Sequence, residues 1–354
     1  MITESRTPAQ DGPTAEGVSM MKAAQVGLGW WGSQVTKVLD GSQKIKIVCG
    51  VDPSPEMAKK YEDDYGLPVY ADYQEALDDP NVEGVILTIP HLFHEEAVVR
   101  AAAAGKEIFC EKPLALSVDS ARTMIEACDE AGIVMGIGHE RRFEPAWEEI
   151  KRMADAGEFG TILHMEAHWS HDRWLGMAPD NWRGSKEESP AAGWTGMGVH
   201  LSDMMLSLAG EVAEVQAYVA RRILEIPTGD VVSAHFRFAD GSTGHIAAVS
   251  ATPDYARFAV FGSHAWAEAR ETQHVDPGGT THFYVRRRGD ADQTRIDFEP
   301  ASPVRAGYEH WADAVAERAN YRFSNAERLG NVAILEALVR SSESGRPEPV
   351  SQYA

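Results

Sequence analysis

The chain has 354 residues, 44% of them hydrophobic, and its 33 basic and 54 acidic side chains give a formal net charge of −21. This length predicts about two domains, and the acidic balance argues against a basic nucleic-acid surface and against adhesion to anionic lipid. Cys49, Cys110 and Cys128 are too far apart to indicate a disulfide framework or a zinc knuckle, and they suit a reducing cytoplasm. The first 20 residues are polar and lack the apolar core of a secretory signal, so we expect a disordered tail.

The most specific motif follows the first predicted strand. Residues 26–32 read Val-Gly-Leu-Gly-Trp-Trp-Gly, so Gly27, Gly29 and Gly32 form a G-x-G-x-x-G pattern where the strand meets a helix. Such glycines permit a tight turn and let the backbone and the helix N-terminus approach a pyrophosphate. Asp52 ends the next strand, where a carboxylate accepts hydrogen bonds from ribose hydroxyls and repels a 2′-phosphate. The sequence therefore predicts a dinucleotide site that prefers NAD to NADP.

From this motif to about residue 140, predicted strands and helices alternate. Strands are expected over 45–51, 83–89, 106–110 and 133–138, with helices over 55–65, 95–104 and 117–131. This alternation is typical of a doubly wound parallel sheet, which binds nucleotides at the carboxyl ends of its strands. The residues predicted to contact the cofactor lie at those ends: Gly27, Gly29, Trp30, Trp31, Gly32, Asp52, Pro90, His91, His94, Glu111 and Lys112.

Glu111, Lys112 and Pro113 end one of these buried strands. Beside a nicotinamide, the Lys112 ammonium could hydrogen-bond a substrate hydroxyl and stabilise its alkoxide, and a desolvated lysine becomes a usable general base. Glu111 could orient it. The alternative interpretation is a solvated surface lysine.

The pattern changes after about residue 160. Strands with alternating polarity are predicted over 162–169, 212–220, 231–238, 244–250, 257–261 and 281–287, and helices over 306–319 and 325–342. Hairpin connections, such as the Asp240-Gly241 turn, indicate an antiparallel or mixed sheet. The exposed face of such a sheet commonly needs a partner, so we expect a subunit interface there. We expect a tail over 1–20, a nucleotide-binding domain over 21–141, and a substrate-binding and oligomerisation domain over 142–354.

A predicted helix over 199–208 carries His200 and Asp203 on one face, so the carboxylate could orient the imidazole, raise its pKa and make it a proton shuttle. A structural pair is the alternative. Aromatic and basic residues cluster before this helix, and such a cluster suits the binding of a polyol or a carboxylated ring. The alternative interpretation is an ordinary loop anchored by tryptophans. The predicted substrate-binding residues are Arg142, His171, Arg173, Trp174, Trp182, Arg183, Trp194 and Asp203. No metal is expected, because His171 would face away from His164 and His168 in a strand.

These motifs lie between Met21 and Pro349. In their residues and in their order along the chain, they resemble the glucose–fructose oxidoreductase, inositol dehydrogenase and rhizopine-catabolism (Gfo/Idh/MocA) family. The resemblance implies a Rossmann domain, an open-faced α/β domain, and dimers or tetramers. It also implies NAD(P)-dependent oxidation of a secondary alcohol, with Lys112 and His200 as catalytic residues. Gly196 stands where many members have Asp, and Glu140 where Asn is frequent. The Gly-Met-Gly-x-His variant resembles a branch with dihydrodiol and less typical sugar dehydrogenases.

We therefore expect a cytoplasmic NAD-dependent oxidoreductase that acts on a secondary alcohol of a sugar, a cyclic polyol or a cis-dihydrodiol. Two alternatives stay open. One is an NAD-retaining glycosidase or lyase that oxidises its substrate transiently, and the other is a non-catalytic regulator that binds NAD or sugar. The presence of both Lys112 and His200 counts against the regulator.

Overall fold

The computed structural model describes residues 3–6, 20–178, 181–273, 279–319 and 321–350. The chain divides into two units. The first unit contains residues 11–140 and 304–328, and the second contains residues 1–10, 141–303 and 329–354. Most of the predicted tail lies outside the described residues, apart from strand β1 (Thr3–Arg6).

Among the described residues, the sheet of the first unit has six parallel strands in the order β4-β3-β2-β5-β6-β7. The strands are β2 (Met21–Val26), β3 (Ile45–Val51), β4 (Val69–Tyr70), β5 (Gly84–Leu87), β6 (Glu107–Cys110) and β7 (Met135–Ile137). The helices are α1 (Trp30–Leu39), α2 (Pro55–Tyr65), α3 (Tyr73–Asp78), α4 (His94–Ala103), α5 (Val118–Ala131) and α8 (Pro303–Glu317). This is the predicted doubly wound parallel sheet, and the short elements β4 and α3 are additions to the prediction.

Local signals set the helix boundaries in this unit. Ser54 caps α2 by accepting a hydrogen bond from the Met57 N–H, and Gly66 ends the helix in the left-handed conformation. Ser117 and Gly132 do the same for α5. The predicted ends of both helices are therefore confirmed. They could be predicted because side-chain caps and positive-φ glycines act over only a few residues of sequence.

Helix α8 packs on the parallel sheet although it comes late in the chain. The Trp311 indole N–H donates to the Val134 carbonyl at 2.9 Å, and the Tyr308 and Phe109 rings lie 4.0 Å apart between centroids. Arg305 donates to the Val38 carbonyl at 2.7 Å. Residues 304–328, which the sequence pattern groups with the second domain, belong to the first unit by their contacts.

The second unit contains a mixed sheet that is largely antiparallel. Over the described ranges its ten strands follow the order β1-β15-β14-β13-β12-β8-β11-β10-β9-β16, with parallel pairing at β1–β15 and β8–β11. The remaining strands are β8 (Ile162–Ser170), β9 (Val212–Ala220), β10 (Val231–Phe238), β11 (Thr243–Val249), β12 (Tyr255–Gly262), β13 (Ala265–Glu271), β14 (Thr281–Arg287), β15 (Thr294–Phe298) and β16 (Glu348–Pro349). The remaining helices are α6 (Pro145–Asp155), α7 (Gly198–Ala209) and α9 (Asn325–Ser344), which belongs to this unit from residue 329.

The two faces of this sheet differ in polarity. In β8, Met165, Ala167 and Trp169 are buried, while the alternating residues His164 and Glu166 remain partly exposed. This is the predicted period-two pattern of a sheet with one face on the core. No helix in the described part of the chain is both long and apolar enough to cross a membrane.

Candidate active site

The glycine turn after β2 has the geometry of a phosphate-binding loop. Gly27 has a φ of +86°, and a Cβ atom there would lie 2.8 Å from the Thr88 carbonyl oxygen. Gly32 is buried, and its Cβ would lie only 2.0 Å from the Gly27 carbonyl oxygen. A Cβ on Gly29, at the N-cap of α1, would meet no atom within 4 Å. The turn is therefore closely packed behind Gly27 and Gly32 and open in front of Gly29, which fits the approach of a pyrophosphate to the helix N-terminus.

Three polar side chains hold this turn from behind. The Thr88 hydroxyl lies 2.7 Å from the Gly27 carbonyl and accepts a hydrogen bond from the buried Gln25 amide at 2.8 Å. Asp52 accepts from the Leu28 N–H through one oxygen and from the Ser54 N–H through the other, both at 2.9 Å. Asp52 thus orders the turn and the start of α2. The sequence gives no local signal for Gln25 and Thr88, because they are 63 residues apart and meet only where β2 and β5 lie side by side.

Glu111 and Lys112 follow β6, at the sheet edge where the glycine turn follows β2. Glu111 is buried, and its Oε1 accepts a hydrogen bond from the Tyr308 hydroxyl at 3.0 Å. Its Oε2 lies 3.3 Å from the Lys112 backbone N–H. Burial raises the pKa of Glu111, although the Lys112 charge and the Trp31 and Tyr308 side chains act to lower it. Lys112 is half-buried beside this carboxylate, which is a different setting from that of a solvated surface lysine.

Gly138, after β7, makes room for the Glu111 carboxylate. A Cβ atom on Gly138 would lie 2.4 Å from Glu111 Oε2. Any side chain at this position would therefore displace the carboxylate. This requirement has no local signal in the sequence, because the two residues are neighbours only across the sheet.

The segment after β5 carries Pro90, His91 and His94. Pro90 and His91 are half-buried, at the start of a short 3₁₀ turn. His94 is fully buried, and both its ring nitrogens lie 3.1 Å from backbone carbonyls, those of Leu114 and Ile89. Burial lowers the pKa of His94. The predicted cofactor contact is corrected for His94, which has no exposed surface and holds two backbone segments instead.

The two aromatic residues of the glycine motif differ in exposure. Trp30 is 64% exposed and Trp31 is half-buried, and their rings lie 5.6 Å apart between centroids. Both directly follow Gly29 in the sequence, so tryptophan fluorescence is a natural reporter of nucleotide binding at this turn.

In the second unit, the predicted His200–Asp203 helix is present as α7, but Asp203 has a different partner from the predicted one. Arg142 donates from Nε to one Asp203 oxygen and from Nη2 to the other, both at 2.6 Å, and both side chains are buried. The His200 ring lies 5.5 Å from the Trp169 ring between centroids. Arg142 and Asp203, predicted as substrate-binding residues, form a buried bidentate ion pair.

We expect the Arg142–Asp203 ion pair to have a large effect on the stability of the protein. Replacing Arg142 with Met leaves a buried carboxylate without its cation, so we expect a loss of about 3–5 kcal/mol in the free energy of unfolding, measured by urea denaturation. The matched control is Arg173→Met, which breaks the exposed pair with Asp254 at 2.8 Å and should cost about 0–1 kcal/mol. Adding Asp203→Leu to Arg142→Met should recover part of the loss. Equal losses from the two single variants would contradict the assignment.

The other predicted substrate-binding residues have different environments. The Arg183 guanidinium lies 4.2 Å from the Trp182 ring centroid, and both side chains are half-buried. The His171 ring packs edge-on against Trp174 at 5.8 Å, and burial lowers its pKa to about 4. The prediction for Trp194 is corrected: it has no exposed surface and packs against Phe236 in the core.

Gly196 stands where many members of the family that the sequence resembles have Asp. Its Cβ would lie 3.6 Å from Trp174 Cζ2 and 3.8 Å from the Gly193 carbonyl oxygen, which are ordinary contacts. Packing therefore does not require glycine there. Within the described ranges, no three His, Cys, Asp or Glu side chains are arranged to hold a metal ion.

A glycine turn open to a pyrophosphate and a half-buried lysine lie at the same edge of a parallel sheet, the edge at which doubly wound sheets bind nucleotides. Residues 21–139 match the family model described as "Oxidoreductase family, NAD-binding Rossmann fold", and residues 147–268 match the "GFO/IDH/MocA C-terminal domain". The chain belongs to the GFO/IDH/MocA family, and its N-terminal unit is an NAD-binding Rossmann domain.

Named relatives include two curated proteins and one solved structure. The scyllo-inositol 2-dehydrogenase (NAD(+)) of Bacillus subtilis is 36% identical over 41% of this chain and 43% of its own length. The 2,7-anhydro-N-acetylneuraminate hydratase of Mediterraneibacter gnavus is 29% identical over 47% of this chain and 44% of its own. The chain thus spans less than half the length of each of these two relatives. Levoglucosan dehydrogenase, in complex with NADH and levoglucosan, shares the fold with a TM-score of 0.84 and 21% identity over 94% of this chain and 100% of its own.

Proposed function

We propose that this protein is an NAD-dependent dehydrogenase that oxidises a secondary hydroxyl of a sugar or cyclic polyol. The observation that carries the proposal is the position of Lys112: half-buried, beside a buried carboxylate, and at the strand ends that carry the glycine turn. The names of the inositol and levoglucosan dehydrogenases support this substrate class. A cis-dihydrodiol offers the same vicinal hydroxyl chemistry and belongs in the same test.

The residues proposed to hold NAD are those of the glycine turn together with Asp52. The open space in front of Gly29 suits the pyrophosphate, and the partly exposed Asp52 carboxylate can accept hydrogen bonds from ribose hydroxyls while repelling a 2′-phosphate. Pro90, His91, Trp30 and Trp31 stay in the proposed cofactor site, and NAD is expected to be preferred to NADP.

Lys112 and His200 are the residues proposed to handle the proton. Bound NAD⁺ supplies the acceptor for the hydride of the carbinol carbon, so alcohol and NAD⁺ become ketone, NADH and a proton. The neutral Lys112 amine accepts the hydroxyl proton at Nζ, and as an ammonium it stabilises the alkoxide by hydrogen bonding. His200, which the family resemblance implies as a catalytic residue, is the second residue proposed for acid–base catalysis. His171, Arg173, Trp174, Trp182 and Arg183 are proposed to contact the substrate.

We also propose a homodimer or homotetramer in the cytoplasm. The partly exposed face of the second unit's sheet carries both charge signs, for example Arg257 beside Glu166 and Glu268. Such a face can pair with a second copy of itself, because a two-fold axis brings the same patch opposite itself.

The test is an NADH-absorbance screen of inositols, anhydrosugars, aldoses and cis-dihydrodiols with NAD and with NADP. We expect NADH formation with at least one compound, a product lighter by two hydrogen atoms, and a higher kcat/KM with NAD. If no compound yields NADH or a change in mass, the dehydrogenase proposal fails.

A second candidate function follows from the relative named as a hydratase. An NAD-retaining lyase, hydratase or glycosidase oxidises its substrate transiently and reduces it again, so product forms without net NADH. The same screen, followed by mass spectrometry in deuterated water, separates the two functions, because transient oxidation exchanges the hydrogen next to the carbonyl carbon. A regulator that only binds NAD or sugar would give neither signal and would bind its ligand unchanged after Lys112→Ala.

A further inference from the structure

The Tyr308 side chain reaches Glu111 from a distant part of the sequence. Its hydroxyl donates to Glu111 Oε1 at 3.0 Å, and its ring lies 4.0 Å from Phe109 between centroids. Tyr308 and Phe109 are both almost completely buried. The ring packing fixes the direction of the hydroxyl, so this hydrogen bond is built into the core of the first unit.

Glu111 has three further neighbours: Lys112, Gly138 and Trp31. The second carboxylate oxygen lies 3.3 Å from the Lys112 backbone nitrogen, and the charge of the Lys112 side chain favours the ionised carboxylate. Gly138 leaves the space that this oxygen occupies. Trp31 also favours the ionised form.

Burial works against this arrangement. A buried carboxylate tends to take up a proton, and burial does raise the pKa of Glu111. A neutral carboxylic acid would no longer balance an ammonium beside it. A hydroxyl that donates to the carboxylate favours the ionised form. Burial, Glu111 and the neighbouring Glu140 and Tyr321 hold the pKa of Tyr308 well above its ordinary value, so Tyr308 stays a neutral donor.

We propose that Tyr308 is a positioning residue, which keeps the Glu111 carboxylate ionised so that this carboxylate partners the Lys112 ammonium. The proposal rests on the proposed function only in giving Lys112 a catalytic role. It concerns only the side chains of Tyr308, Glu111 and Lys112 in the first unit, and it holds whether the substrate is a polyol, a sugar or a dihydrodiol.

The test measures the titration of Lys112 directly, in the full-length protein without substrate. The rate at which an amine-modifying reagent labels Lys112 is followed against pH by peptide mass spectrometry, because only the neutral amine reacts. The variants are Tyr308→Phe, Glu111→Gln and the double variant. Tyr73→Phe is the matched control, since it removes another tyrosine hydroxyl of this unit: that of half-buried Tyr73, which donates to the Ala97 carbonyl at 3.1 Å.

Loss of a nearby opposite charge lowers the pKa of an ammonium. We therefore expect Glu111→Gln to label at Lys112 about tenfold faster than wild type at neutral pH, because each pKa decrease of about one gives tenfold more neutral amine. Tyr308→Phe should move the rate in the same direction, and the double variant should match Glu111→Gln alone. Tyr73→Phe should label like wild type. In an active enzyme, the acid limb of the kcat/KM profile should move to lower pH in the same variants.

Unchanged labelling in Glu111→Gln overturns the proposal, even if Tyr308→Phe fails to fold. An effect of Tyr308→Phe that persists in the Glu111→Gln background also overturns it, since Tyr308 would then act by another route. The labelling experiment needs no turnover. A protein that forms no NADH but shows the predicted labelling contradicts the proposed function and leaves this inference standing.

Discussion

Replacing Lys112 with methionine is expected to lower kcat about 10²- to 10⁴-fold, the range over which a positioned general acid–base group accelerates a reaction. Methionine keeps the length of the side chain and removes the amine that would take the hydroxyl proton. Because the glycine turn is untouched, the affinity for NAD should stay within a few-fold of wild type. Steady-state NADH formation gives kcat, and quenching of the protein's tryptophan fluorescence by the nucleotide gives the affinity for NAD.

The control for this experiment is Lys46→Met. Lys46 is exposed in β3 of the same sheet, near the end opposite to the glycine turn. The two variants lose the same charge, so a general effect of charge on stability or binding would appear in both. Wild-type turnover in Lys112→Met would remove Lys112 from the mechanism, whereas loss of NAD binding would make it a cofactor-binding residue only.

The sequence predicted the features of the fold that depend on neighbouring residues. Continuous apolar runs located the parallel strands, and the capping residues Ser117 and Gly132 located the ends of α5. The period-two pattern of β8 located the buried face of the second sheet. Short elements were missed, for example β4, because two residues carry too little periodicity to be distinguished from a loop.

Contacts between residues far apart in the sequence could not be predicted in the same way. His200 and Asp203 are one helical turn apart, which made them an obvious pair, but Asp203 binds Arg142. Tyr308 lies 197 residues after Glu111 in the sequence, so the contact between them has no local signal. A pattern of charge shows which side chains need partners, and the packing of distant segments decides which partners they find.

Gly32→Ala is expected to reduce both the stability of the protein and its affinity for NAD. The new Cβ would lie 2.0 Å from the Gly27 carbonyl oxygen and 2.8 Å from Thr88 Oγ1, so the backbone of the turn must move. Overpacking of this kind typically costs about 1–3 kcal/mol. Thermal unfolding without nucleotide measures the stability, and Trp fluorescence titration measures the affinity. A Gly32→Ala protein that melts and binds like wild type would show that the turn is not packed as described.

Gly29→Ala separates folding from binding at the same turn. Its Cβ would meet no protein atom within 4 Å, and its φ of −62° suits alanine, so the melting temperature should not change. The added methyl group occupies the space through which a pyrophosphate reaches the N-terminus of α1. Loss of one charge-assisted hydrogen bond, about 1.5–3 kcal/mol, would weaken NAD binding about 10- to 100-fold. Unchanged affinity in Gly29→Ala would mean that the nucleotide does not bind over this glycine, and the assignment of the turn as the pyrophosphate site would be wrong even in an active dehydrogenase.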